Sequence, residues 1–430
     1  MRFRFFKLCL TITFTLFFAL FIRISAASAD DALFDSGDVY RDYVWTVEST
    51  EDDGFLRVGG NYGYLTDKKL EDIGFHQNGF IPFGHSLDLD KAVSAKLIVE
   101  KLLSHEGTTG FAVQINQSDV LAFPESPHIP EPQTEFPHLF LPYVDVPISA
   151  LNEGENNAFK FTVNEAHPWD WPQHLVYGIT LRVYYNSAKA HSRATVNRPP
   201  NNEIQLSTTL SVSSQGPVHK VDYIGRFEDV DFNGNGQRYK WQYAIHKGKL
   251  GNHIGTSQKA PHSFQWDSTW LPEQSRAIEI LAIVTAPDGI AYVTPVVDDL
   301  SLSRSHSIEM AWLNDVEDHW TTRSKAVDAE FTLTGDVEKA SAAKMYWASW
   351  SSCYSHGVVI NGYLTYTGMD EPCYTYEQHE VAIKPSVLMQ GKNSLHTPLT
   401  PLYKGQIVHG MEVLYPGMMI KVKYDKKPRP

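Results

Sequence analysis

Short runs that alternate apolar and polar residues recur along this chain, as in Ala-Lys-Leu-Ile-Val at 95–99 and Ile-Thr-Leu-Arg-Val-Tyr-Tyr at 179–185. Successive side chains of a strand point to opposite faces, so each run buries one side and solvates the other. The runs are bounded by Gly, Pro, Asn and Asp, the residues that make turns. Extended helical periodicity is nearly absent, and residues 149–152 and 385–389 offer only single turns. Many short strands with frequent turns build sandwiches or barrels, not α/β units, so the expected fold class is all-β.

A length of 430 residues gives room for about two to four domains. Two polar stretches divide the chain. Residues 187–202 hold Arg198-Pro199-Pro200-Asn201-Asn202, which buries little and suits a linker, and a second boundary falls over 300–307. The expected blocks are 30–190, 203–303 and 308–426.

The first 29 residues differ from the rest. Arg2, Arg4 and Lys7 precede an apolar run from Leu8 to Ile22, and Ala27-Ser28-Ala29 follows, which is the layout of a signal peptide. The run is short for a membrane span, and an uncleaved anchor is the alternative. No later stretch is long and apolar enough to hold the mature chain in a bilayer, so the expected location is secreted or periplasmic. Lys plus Arg number 37 against 50 Asp plus Glu. Removing the segment takes four cations and no anion, leaving 33 against 50, or −17. Such a surface argues against nucleic acid as a partner.

Only Cys353 and Cys373 remain after cleavage, and in an oxidising compartment the pair is expected to form one disulfide, with two buried thiols as the alternative. The sharpest local motif is Asp231-Phe232-Asn233-Gly234-Asn235-Gly236. Oxygen side chains at alternate positions converge on one hard cation, and the last Gly permits the tight turn. Calcium is the expected cofactor, held by Asp231, Asn233, Asn235 and the Gln237 carbonyl; the competing reading is a plain hairpin turn. Position twelve of this loop is Gln242 where a helix-loop-helix site needs Glu, so that class of site is not expected.

Trp169 and Trp171, spaced i and i+2 in a Pro-flanked segment, share one side of an extended chain and would form a stacking platform for a sugar ring. Trp347 and Trp350 raise the same choice between ligand stacking and core packing. Catalytic motifs are thin: no nucleophile elbow, phosphate loop or His-Glu-x-x-His occurs. His356, His409 and Glu412 are the catalytic candidates, each weighed against a structural role.

Blocks one and three share an order of features. Ile115-Asn116-Gln117 leads through a loop to Val144–Leu151 and then Gly154-Glu155-Asn156, while Ile360-Asn361-Gly362 leads to 379–388 and then Gly391-Lys392-Asn393. This order resembles the galactose-binding-like jelly roll of exported carbohydrate-active proteins. In block two, Trp266-Asp267-Ser268-Thr269-Trp270 and Ala286-Pro287-Asp288-Gly289 resemble bacterial immunoglobulin-like modules. The resemblance implies two jelly-roll β-sandwiches flanking an immunoglobulin-like β-sandwich, with glycan or polysaccharide as the partner. Binding without catalysis is the leading expectation. The rivals are a glycoside hydrolase, polysaccharide lyase or amidase with a cleft between jelly rolls, and a purely structural surface protein.

Overall fold

The computed structural model describes residues 33–47, 55–59, 79–103, 105–125, 139–165, 173–314, 320–323, 325–368, 375–400, 402–403, 406–407 and 410–425. The signal segment, Trp169, Trp171, Cys373 and His409 lie outside the described residues. The described chain is all-β, with several distinct sheets and helix only as single 3-10 turns. Two of these turns, Ile148–Ala150 and Pro385–Val387, sit where the sequence offered them.

In the first unit, a sheet built on Val39–Thr46, His174–Tyr185, Ala92–Leu103 and Tyr143–Val146 faces a smaller one of Ile81–Pro82, Ala158–Asn164, Thr109–Ile115 and Leu121–Ala122. Leu97, Val99, Leu181 and Val183 meet Val113, Ile115 and Phe159 between them. The third unit repeats this plan. Ala340–Trp350, Met419–Tyr424 and Tyr376–Ile383 lie across from Val327–Leu333, Gly391–Thr397 and Val358–Ile360.

Both units are pinned by the same knot of asparagines. Asn116 and Asn361 each take a φ of 50°, which Asn tolerates better than most residues. The Asn116 amide donates to the Ala150 carbonyl at 2.8 Å and to Asn157 Oδ1 at 3.0 Å; that of Asn361 donates to the Val387 carbonyl at 2.7 Å and to Asn393 Oδ1 at 2.8 Å. Asn157 and Asn393 then accept from the Asn152 and Met389 amides and donate to carbonyls of the same turn. The partner in the first unit is Asn157, not the neighbouring Asn156 that the Gly-x-Asn pattern selected. Asn157 stands two residues before buried Phe159, as Asn393 stands two before buried Leu395.

The stretch read as a linker contributes a strand. Arg193–Val196 pairs with Val212–Gln215, and its outward turns leave Ala194 and Val196 buried in the middle unit's core. Alternation within this polar stretch decides the matter: every second side chain, Ala194 and Val196, is apolar.

The units are not separate beads. Tyr40 and Val39 pair with Ala291 and Tyr292, so one sheet runs from the first unit into the middle one. Ile98 and Tyr184 of the first unit pack with Ile224, Leu281 and Val293 of the middle unit. Leu175 and Tyr177 pack with Trp350, Tyr376 and Leu414 of the third. All three meet where the Tyr177, His246 and Tyr376 rings lie 5.9–6.4 Å apart.

Candidate functional site

A cleft of about 390 Å³ separates the middle unit from the third. One wall is the outer face of Ala340–Trp350 and its neighbours. Met345 and Trp347 point into the third unit's core, so alternation turns Lys344 and Tyr346 toward the cleft. Glu380, paired across the ladder with Tyr346, and Lys421 share that face.

The facing wall carries Phe264, Trp270 and Phe232. Trp266 is buried against Phe227, and the chain then turns because Asp267 Oδ1 accepts from the Thr269 amide at 2.8 Å. That turn brings Trp270 to the edge, where it is partly exposed. Arg304 and His306 bond the carbonyls of Ser268 and Thr269 from one side, and Lys421 donates to the Trp270 carbonyl at 3.1 Å from the other. The Lys344 ammonium lies 4.5 Å from the Trp270 ring centroid. A rigidly held, partly exposed ring set among polar groups is a combination that stacks on a flat, hydroxylated ligand.

The expected cation loop forms the floor of this cleft. Side-chain oxygens of Asp231, Asn233 and Asn235 do converge on one point, and the Lys240 ammonium stands at that point. It bonds Asp231 and Asn233 closely, and Asn235 Oδ1 at 3.0 Å. The Gln237 amide donates to Asn235 Oδ1 at 3.0 Å. Burial pulls the Lys240 pKa below the ordinary lysine value, opposed by the charge of Asp231. With a single carboxylate, and with an ammonium at the convergence point, this arrangement fits an internal cation and does not fit calcium. Among the described residues, no group of three or more His, Cys, Asp or Glu is placed to hold a metal ion.

Trp347 and Trp350 are not ligand platforms. Trp347 is fully buried, stacked on His379 at 4.2 Å between centroids, and Trp350 is covered by the first unit. A run of aromatics on both parities of one strand hides which ring faces out; Tyr346, on the face opposite Trp347, is the one at the cleft.

Ser349 Oγ lies 2.7 Å from His379 Nε2, a pairing that resembles a nucleophile and its base. Both groups are buried, and burial pushes the His379 pKa down to about 4. No reacting carbonyl reaches a fully enclosed hydroxyl, so the pair satisfies the core.

Of the three catalytic candidates, His356 and Glu412 are described and His409 lies outside the described residues. His356 is exposed, its backbone amide donating to Thr400 Oγ1 at 3.4 Å, and among the described residues no hydrogen bond or ion pair joins it to Glu412. Glu412 pairs across the ladder with Trp350 and shares its face, toward the first unit. Burial pushes its pKa from 4.5 to about 7, against the attraction of Arg323. Because the folded value is the higher one, the favourable protonated state is complete below about 4.5 and is lost as pH rises through about 7. Glu412→Gln is therefore expected to raise stability on the order of 1–3 kcal/mol at about pH 8 and to change little at about pH 4. Thermal melts at the two pH values check this; equal shifts at both would remove the titration as the cause.

No protein-family model matches the chain. No curated protein matches it either. Among solved structures, similar chains include BuGH86 in complex with neoagarooctaose, at 9% identity over 51% of this chain and 32% of that one, with a TM-score of 0.22. Another is a β-porphyranase of glycoside hydrolase family 86 from the human gut bacterium Bacteroides plebeius, at 12% identity over 51% and 34%, with a TM-score of 0.21. A third is a 1.5-MDa bacterial ice-binding adhesin, at 10% identity over 75% and 86%, with a TM-score of 0.16. The chain spans about a third of the length of the two hydrolases. Likenesses this slight carry no argument about what the chain binds.

Proposed function

We propose that the chain is an exported carbohydrate-binding protein whose ligand lies in the cleft between the middle and third units. The observation that carries this is Trp270, held at its backbone from both walls and set opposite Tyr346 above a polar floor. An aromatic face stacks on the C–H side of a sugar, and nearby amides and hydroxyls pair with its hydroxyl groups. The signal-like first segment supports a secreted or periplasmic location, and with it a Cys353–Cys373 disulfide. The matching asparagine knots support the finer reading of the outer units as galactose-binding-like jelly rolls, with an immunoglobulin-like sandwich between them.

Trp270→Ala is expected to weaken glycan binding by about 10- to 100-fold, the effect of about 1.4–2.8 kcal/mol of lost stacking. Trp347→Phe, a change within the third unit's core, should leave affinity unaltered once folding is verified. Calorimetric titration against ligands found on a glycan array, with product analysis of each bound chain, makes the test. Affinity indifferent to Trp270→Ala would remove the cleft as the site, and released products would make the protein an enzyme.

A further inference from the structure

The charges around this cleft are spent on one another. Lys240 is held by Asp231, Asn233 and Asn235; Lys421 by Asp229 and the Trp270 carbonyl; Lys344 by Glu380, with the Trp270 ring beneath it. Asp267, exposed on the same wall, has its carboxylate turned to Thr269. His253, at the margin, is tied through Nε2 to Thr256 at 2.7 Å, and Thr256 donates to Asp222 at 2.6 Å. Burial lowers the His253 pKa, so it adds no cation at neutral pH. Four carboxylates, Asp229, Asp231, Asp267 and Glu380, thus stand against three lysines, a net of one negative charge.

An anionic sugar would need an ammonium. Taking Lys240 would strand Asp231, only 2% exposed, without its counter-ion, and removing one partner of a buried pair is strongly unfavourable. Taking Lys421 would likewise release Asp229 and undo the bond that fixes Trp270. Taking Lys344 would release Glu380 from its counter-ion.

Resting on the cleft reading above, we infer that the site selects uncharged glycans and rejects sulfated or uronic ones. Selection arises because the lysines are closed off by carboxylates of the same walls, not because lysines are missing. The exposed surfaces of a neutral sugar need only the ring of Trp270 and uncharged donors and acceptors such as Asn252.

The test uses the full-length mature protein with dextran and galactan oligosaccharides, each also in sulfated form, titrated at roughly 0.05 M and 0.5 M salt. Wild type is expected to bind at least one neutral chain with affinity changing less than about twofold between salts, and its sulfated form at least about tenfold more weakly. Trp270→Ala should weaken the binding by the same roughly 10- to 100-fold, and Trp270→Phe should retain much of it, which separates lost stacking from lost folding. A sulfated chain that binds more tightly, with steep salt dependence and sensitivity to Trp270→Ala, would overturn the selectivity and leave the cleft as the site. Binding to no chain, or binding indifferent to Trp270→Ala, would overturn both.

Discussion

Replacing Lys240 by alanine will destabilise the protein by about 3–5 kcal/mol, the usual cost of leaving one member of a buried ion pair alone. Asp231 is 2% exposed and Lys240 7%, so water cannot take over the lost contacts without opening the loop. Asn233 and Asn235 lose the same partner at the same moment. Wild type should melt at one temperature in calcium and in chelator, because its own ammonium already stands where the oxygens converge. In Lys240→Ala, millimolar calcium should recover part of the loss, since binding only to the folded state stabilises it by RT ln(1 + [L]/Kd), about 2.7 kcal/mol at a hundredfold excess. Asp231→Ala in the same background should cancel that recovery. A wild-type melt that rises with calcium would show the ion displacing Lys240, and the loop would then be the calcium site that its spacing first implied.

This loop marks the boundary of what the sequence discloses. The alternation Asp-x-Asn-x-Asn is written in neighbouring residues, and the convergence of three oxygens follows from it. The identity of the cation is set by Lys240, which sits on the following strand, Tyr239–Gln242, and is aimed by that strand's pairing with Lys220–Glu228. Pairing across a sheet is not periodic in sequence. The same reason explains the tryptophans: Trp347 and Trp350 lie on opposite faces of 340–350, one buried in the third unit's own core and the other by the first unit, and neither partner is written in the neighbouring residues. Asn116 and Asn361 could be read because each serves its own turn, whereas the cleft needed three chain segments brought together from far apart. A one-residue insertion hid Asn157 behind Asn156, and only its spacing to a buried Phe159 gave it away.

The junction of the three units supplies the other large effect. The hairpin Ala244–His246 and Lys249–Gly251 turns through Lys247 and Gly248, whose φ values of 47° and 71° are the twist-matched geometry for a two-residue turn. Its tip docks on the first unit, where buried Glu100 accepts from the Lys247 amide at 2.5 Å and pairs with His246 Nδ1 at 2.7 Å. A Cβ on Gly248 would stand 2.0 Å from Val44 Cγ1, a distance no side chain tolerates.

Gly248→Ala therefore carries two costs. The left-handed backbone disfavours any Cβ by about 1 kcal/mol, and the collision with Val44 adds a larger one by pushing the tip off the first unit. Wild type is expected to unfold in one calorimetric transition, because the first and middle units share a sheet and all three share apolar contacts. In Gly248→Ala that transition should fall by several degrees and broaden or split, as the hairpin ceases to couple the units. Val44→Ala alone removes two methyl groups from a partly buried site and costs about 1 kcal/mol. Combined with Gly248→Ala it should restore part of the loss, leaving the backbone cost in place, so the double variant will be more stable than the sum of the singles allows. Strict additivity would mean that the tip does not press on Val44, and the coupling would then have to come from the shared sheet and the apolar contacts between units.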